Sequence, residues 1–129
     1  MNLEIEKVFI ETFIKKDYQK RIIYELTKKR EKALSRFSHN ACDILNKDNN
    51  ILLIYDKDSI VTLIQNKDIL NKDCYFISRF FDGEIVKLEI ALKEAFEDLC
   101  SSIIILTNFV IIKEETIIGK PNVYLIKIK

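Results

Sequence analysis

Glycine, proline, tryptophan and histidine are scarce in this chain. Its 129 residues include 2 Gly, 1 Pro, 1 His and no Trp. Gly83 and Gly119 lie too far apart to form a phosphate-binding loop of the G-x-G-x-x-G kind, so nucleotide binding through such a loop is excluded. With so little Gly and Pro and a hydrophobic fraction of 48%, the sequence is not that of a disordered, collagen-like or linker-dominated chain.

Cysteine is also too sparse to form a framework. Cys42, Cys74 and Cys100 are odd in number and widely spaced, which fits neither paired disulfides nor a C-x-x-C zinc site. The first residues alternate charged and apolar side chains, unlike a signal peptide, and the uncharged run 99–112 is too short and too polar for a membrane span. We therefore expect a cytoplasmic protein with reduced thiols, no membrane association and no cofactor. The richness in Lys and Ile indicates coding DNA rich in A and T, and so a bacterial source.

Charge is abundant but unevenly distributed. The net charge is only +1, yet residues 15–36 carry nine cations and three anions, a local balance of +6 that leaves −5 for the rest. Such a segment could attract nucleic acid, an anionic lipid surface or an acidic protein, or it could serve only for solubility. A pI near 7.6 disfavours nucleic-acid binding.

Hydrophobic periodicity divides the chain near residue 50. Apolar residues at helical spacing predict two or three helices in residues 2–46, including Ile5, Val8, Phe9 and Phe13 on one helix side and an apolar stripe from about Arg30 to Leu45. Asn46 to Asn50 is rich in turn-forming residues and breaks the pattern.

The second half of the chain predicts the order β-α-β-α-β-β-β. Its strands are predicted at 51–55, 75–78, 102–106, 109–113 and 123–128, with the main helix beginning at Ile85 and segment 59–66 left open between helix and strand. We expect one α+β domain over residues 1–129, in which an α/β unit of residues 51–129 packs on a basic helical segment, residues 1–46. The sheet is predicted to be mixed, with four or five strands, and to end in an antiparallel meander.

Catalytic residues do not group convincingly. His39, Cys42 and Asp43 could share one helix ridge, but catalytic partners usually come from separate elements, and a metal site would need a distant fourth ligand such as Cys74. Acidic pairs, among them Glu114 and Glu115, are interpreted as solvated. The sequence therefore predicts a non-enzymatic protein without a catalytic or metal site.

Binding residues are predicted at two places. Arg79, Phe80 and Phe81 follow a strand, and an Arg beside a partly exposed Phe is typical of protein interfaces. The alternative is that both rings close over the end of the sheet. Arg30, Arg36 and His39 could instead line an anion or small-ligand pocket together with Arg79. Another protein is the expected partner, and the oligomeric state is left open.

Several short motifs resemble those of a known group of proteins. They are Arg21, Glu25-Leu26, Lys29-Arg30, Leu34, Arg36-Phe37, His39, Cys74-Tyr75, Ile77-Ser78 and Asp82-Gly83. This combination resembles a group of short bacterial α+β proteins of unassigned function, which has an aromatic-acidic stretch where this chain has Ile111 to Glu115. In size and fold class the chain is also similar to immunity proteins, small inhibitors that neutralise a toxin domain. No activity carries over from the bacterial group, whereas the likeness to immunity proteins implies a toxin-neutralising binding protein.

Overall fold

The computed structural model describes residues 2–39, 41–54, 56, 58–115 and 122–128. These residues form five α-helices and six strands. The helices are α1 Leu3–Phe13, α2 Lys16–Lys28, α3 Arg30–Ser35, α4 Asp58–Ile64 and α5 Leu88–Glu97. The strands are β1 Asn50–Ile54, β2 Asp73–Ile77, β3 Asp82–Lys87, β4 Ser102–Ile105, β5 Phe109–Lys113 and β6 Val123–Lys127.

The strands form a single sheet in the order β1-β6-β5-β4-β2-β3. Every neighbouring pair is antiparallel, and β4, β5 and β6 follow one another as the predicted meander. The α+β class is confirmed. The prediction of a mixed sheet with four or five strands is wrong, because the sheet has six strands and no parallel pair among the described residues.

The additional strand is β3, which the sequence pattern assigned to a helix starting at Ile85. Ile85, Leu88 and Leu92 have helical spacing, but the helix begins only at Leu88. Gly83 has a positive φ of 83°, a conformation that costs other residues energy because of their Cβ, and the β2–β3 register shifts beside it. The helical spacing of Ile85 and Leu88 is therefore misleading, because β3 ends and α5 begins between these two residues.

Helices cover both faces of the sheet, which explains why its central strands are apolar throughout. We call the face under α1, α2 and α3 the α1 face; its buried strand residues are Tyr75, Ile77, Ile103, Val110, Ile112 and Ile126. The opposite face packs against α4 and α5; its buried strand residues are Ile54, Cys74, Phe76, Ile104, Phe109, Ile111, Val123 and Leu125.

The predicted apolar stripe from Arg30 to Leu45 does not form one helix. Helix α3 ends at Ser35, and a 3₁₀ turn follows at Ala41–Asp43. Tertiary hydrogen bonds replace the helical ones: Lys15 N–H donates to Ile44 O (2.8 Å) and Asn46 N–H to Phe13 O (2.7 Å). The apolar residues of this segment are still buried, but the segment runs beside α1 and does not continue as one helix.

The segment left open at 59–66 is helical. Asp56 Oδ1 accepts hydrogen bonds from the Ser59 backbone N–H and hydroxyl, both at 2.9 Å, which satisfies donors at the start of α4. The helix stops before Gln65, whose φ is 58°. None of the helices in the described residues is long and apolar enough to cross a membrane.

Candidate protein-binding site

The predicted binding residues lie around one end of the sheet. We call it the loop end; it comprises residues 36–39, 78–81, 98–101 and 114–115, beyond the end of β2 and β5 and before the start of β4. Three side-chain contacts join these loops: Arg79 Nη1 to Cys100 Sγ (3.7 Å), Ser38 Oγ to Ser101 Oγ (3.2 Å), and His39 Nε2 to Glu115 Oε2 (3.5 Å). The fold thus brings together positions that are far apart in the sequence.

Arg30 lies beside this end but is occupied by carboxylates of the protein itself. Its Nη1 is 2.7 Å from Glu6 Oε1, and its Nε is 2.6 Å from Asp82 Oδ1. The hydrogen bonds with Glu6 raise the pKa of Arg30 above its ordinary value, and those with Asp82 act in the same direction. Because Glu6 is only 1% exposed, the guanidinium neutralises a buried charge.

Arg36 is held in the same way by Glu25. Its Nε and Nη2 donate to the two carboxylate oxygens at 2.5 and 2.8 Å, the two-pronged geometry in which guanidinium and carboxylate fit best. These hydrogen bonds lower the pKa of Glu25 and raise that of Arg36. Two of the four residues predicted to line an anion pocket, Arg30 and Arg36, therefore tie helices together, and their charges are already balanced.

His39 and Arg79 are the two members of that set nearer to solvent. The His39 side chain is 53% exposed and faces Glu115. Cys42, its suggested catalytic neighbour, instead interacts with Tyr124; burial, followed by this interaction, raises the pKa of Tyr124. The contacts of His39 and Cys42 thus point in different directions, to Glu115 and to Tyr124.

The two phenylalanines separate. Phe81 turns inward and packs against Phe76 with ring centroids 5.3 Å apart, whereas Phe80 remains 68% exposed. The guanidinium carbon of Arg79 lies 5.0 Å from the centre of the Phe80 ring, within reach of a cation–π contact. Arg79 and Phe80 form a small outward-facing patch.

Two buried charged residues, Lys113 and Glu114, hold the loops of the loop end in place. Lys113 is 1% exposed, and its ammonium donates to the carbonyls of Asp98 and Cys100 at 2.5 and 2.6 Å. Glu114 is 6% exposed and accepts the Ala41 N–H at 2.6 Å. The interpretation of Glu114 as solvated is therefore wrong, because a strand end next to a returning loop buries it.

A groove of about 840 Å³ runs along α1 on the α1 face, at the end of the sheet opposite the loop end. We call it the α1 groove. Its wall is α1 over the whole span from Glu4 to Phe13, and its floor crosses β3, β2 and β4 at Ile85, Tyr75 and Ile105, ending beside Ile128. Val8, Ile85 and Ile128 are 62%, 58% and 47% exposed. Aliphatic side chains of α1, of β3 and of the residue after β6 thus face solvent around one concave surface.

The charged residues of the α1 groove are mostly acidic. Glu4, Glu11 and Asp73 line it, against Lys7 as the one cation among the described lining residues. Lys7 approaches Glu11 at 3.9 Å within α1, and Asp73 pairs with Lys87 at 3.1 Å; exposed pairs of this kind contribute little energy. The groove therefore favours an apolar ligand with positive charge.

Sequence patterns missed this groove because its apolar residues look like core residues. Val8 has the helical spacing of Ile5, Phe9 and Phe13, and Ile85 was assigned to the buried side of a helix. Both face solvent because no described helix covers this corner of the sheet next to α1. The one available signal was Ile10, which lies nearly opposite Val8 around the helix, so that both cannot belong to a single buried side of α1.

Two further findings concern metal-ligating and nucleophilic groups of the described residues. No cluster of three or more His, Cys, Asp or Glu residues suited to a metal ion occurs in the described stretches of the chain. Burial, assisted by the nearby Asp73 charge, raises the pKa of Cys74 to about 12. That thiol is therefore protonated near neutral pH, and a thiolate nucleophile is not available there.

Comparison with known proteins gives no relative. No protein-family model, no curated protein and no solved structure matches the chain.

Proposed function

We propose that this protein is a non-enzymatic module that acts by binding another protein through the α1 groove. The observation that carries the proposal is the exposure of Val8, Ile85 and Ile128 around one concave surface. Apolar patches of this kind on soluble proteins mark sites of interaction more often than chance exposure of single side chains does.

The contacts of Arg30 and Arg36 argue against the alternative function, an anion-binding pocket, and so favour protein binding. Arg30 and Arg36 already bind Glu6 and Glu25, so an incoming anion would have to displace carboxylates that are themselves buried. Leaving such a carboxylate without its partner is strongly unfavourable. The narrower form of the proposal is a toxin-neutralising inhibitor, and it rests on likeness to immunity proteins in size and fold class.

The proposal is tested by co-purification from the source organism with three tagged variants of the full chain beside the tagged wild type. Val8→Asn and Ile85→Asn change the groove, whereas Leu99→Asn changes an equally exposed apolar residue at the loop end. We expect one protein to be retained stoichiometrically by the wild type and by Leu99→Asn, and to be lost with both groove variants. Retention by the groove variants would contradict the proposal.

A further inference from the structure

The shape of the α1 groove restricts what can occupy it. Its wall is helix α1, whose 11 residues correspond to a length of about 16 Å at 1.5 Å per residue. Its floor is the sheet face, because Ile85, Tyr75 and Ile105 come from three adjacent strands. The groove therefore runs across the strands and alongside the helix, and a ligand filling it would lie parallel to α1.

The backbone of β2 and β4, the inner part of the floor, offers no hydrogen bonds to such a ligand. Strand β2 is paired on both sides, with β3 and β4, and β4 is paired on both sides with β2 and β5. An extended peptide lying across these strands would bury its own N–H and C=O groups without partners, which is costly. A helix satisfies these groups internally and needs only side-chain contacts from the groove.

The edge strand does not change this conclusion. Leu88 N–H donates to Lys72 O at 2.8 Å, and antiparallel pairs alternate between bonded and non-bonded, so the backbone of Ile85 and Lys87 points away from β2. A peptide bound to this edge would run parallel to β3 and would leave most of the groove empty. Strand addition at β3 therefore fails to explain why the apolar surface continues to Ile105 and Ile128.

The charges of the groove select the sign of the partner. Glu4 and Glu11 are seven residues apart on α1 and project on one side, two turns from each other. Among the described residues Glu4 has no ion-pair partner, and Glu11 has the exposed 3.9 Å contact with Lys7, which contributes little energy. A helix beside α1 with Lys or Arg two turns apart would complement both carboxylates, while its apolar residues at i, i+3 or i+4, and i+7 cover Val8, Ile85 and Ile105.

We propose that the α1 groove binds a cationic amphipathic helix of about three turns, presented by a partner protein and packed side by side with α1. This inference rests on the proposed function and specifies its ligand. The bound helix would extend the helical layer over the corner of the α1 face that α1, α2 and α3 leave open.

The inference is tested on the full chain with three synthetic peptides of about 14 residues. The first has Leu at helical spacing with Lys between, the second replaces every Lys by Glu, and the third keeps the first composition with a central Pro that breaks the helix. Fluorescence anisotropy should show the Lys helix binding at least tenfold more tightly than either of the others. Equal binding of the Pro-broken peptide or of the Glu peptide would overturn the inference.

Matched variants locate the binding. Val8→Asn should weaken the Lys helix at least tenfold, and Leu99→Asn should leave it unchanged. Glu4→Gln with Glu11→Gln should weaken it about fivefold and reduce its dependence on salt. Glu31→Gln with Glu89→Gln, which are also exposed but lie outside the groove, should not. Weakening by both charge pairs alike would show non-specific attraction and contradict the inference.

Two results separate this inference from the proposed function. If the groove variants lose the co-purified protein but the three peptides bind alike, the groove binds a partner and the helical inference is wrong. If sedimentation shows a dimer that Val8→Asn dissociates, a second copy of the chain covers the groove, which also overturns the inference.

Discussion

Glu6 and Arg30, 24 residues apart in the sequence, form a two-pronged ion pair between α1 and the start of α3. The Tyr75 hydroxyl donates to the same carboxylate at 2.6 Å and accepts the Asn2 N–H at 2.7 Å. Since Arg30 also reaches Asp82, one cation connects two helices to the β2–β3 hairpin. This network lies at the joint between the basic helical segment and the sheet.

Removing the cation from this network should be severely destabilising. Arg30→Met leaves Glu6 buried with only Tyr75 to solvate it, and we expect a loss of about 3–5 kcal/mol in the free energy of unfolding. Urea denaturation measures it, with Lys20→Met on the exposed side of α2 as the control, expected within about 0.5 kcal/mol. The double variant Arg30→Met with Glu6→Gln should recover part of the loss. Equal effects of Arg30→Met and Lys20→Met would show that the buried pair is unimportant.

The Tyr75 phenol should make stability fall at alkaline pH. Burial, followed by its hydrogen bond to Glu6, raises the pKa of Tyr75 from 10 to about 12. Between these values the unfolded chain releases a proton that the folded protein keeps, so raising the pH favours unfolding by about 1.4 kcal/mol per pH unit. Below pH 10 this contribution is fully present.

The comparison with Tyr75→Phe isolates this effect. The variant lacks the ionisable group, and we expect it to be less stable than wild type near neutral pH by about 1–3 kcal/mol, because Glu6 and Asn2 lose partners. The difference should shrink as the pH rises from 10 towards 12 in urea titrations. A constant difference over that range would mean that Tyr75 ionises as readily in the folded as in the unfolded protein.

The Glu25–Arg36 pair should make stability fall at acid pH. Hydrogen bonds from Arg36 lower the pKa of Glu25 in the folded protein. The contribution of Glu25 to the free energy of unfolding is therefore fully present above its unfolded-state pKa of about 4.3. It is lost as the pH falls through the lower pKa of the folded state. Glu25→Gln should cost about 1.5–3 kcal/mol at neutral pH, and the gap to wild type should close in acid. Thermal unfolding at a series of pH values checks this. A gap that is the same at all pH values would contradict the pairing.

The sequence allowed the fold class to be predicted because burial on both faces leaves a plain signal. Continuous apolar runs such as 103–105 and 109–112 identify central strands, and the meander follows from their short connections. Strand β3 was not predictable in this way, since an edge strand with Asp82, Glu84 and Lys87 lacks such a run and leads directly into α5. Residues 82–87 form a strand because they pair with β2, a tertiary contact that local propensity does not reveal.

The binding surface was harder to predict than the fold. The sequence marked Arg30 and Arg36 as candidate ligand contacts, but it could not show that Glu6 and Glu25, on other helices, would occupy them. Val8 and Ile85 look like core residues in any periodic pattern. Whether an apolar residue is buried depends on which helix covers it, and that is decided by tertiary packing.

The pair Phe80 and Phe81 provides the last test, because neighbours of the same type have opposite environments. Phe81→Ala should cost about 2 kcal/mol, because its ring packs on Phe76. This is less than the roughly 3–5 kcal/mol of a fully buried ring, since the Phe81 ring is only partly buried. Phe80→Ala should change stability by no more than about 0.5 kcal/mol, because the ring is 68% exposed and its contact with Arg79 lies in solvent. Urea denaturation of both variants measures the difference. Similar losses for the two would mean that both rings close over the sheet end, the alternative that the sequence alone left open, and the outward-facing patch of Arg79 and Phe80 would not exist.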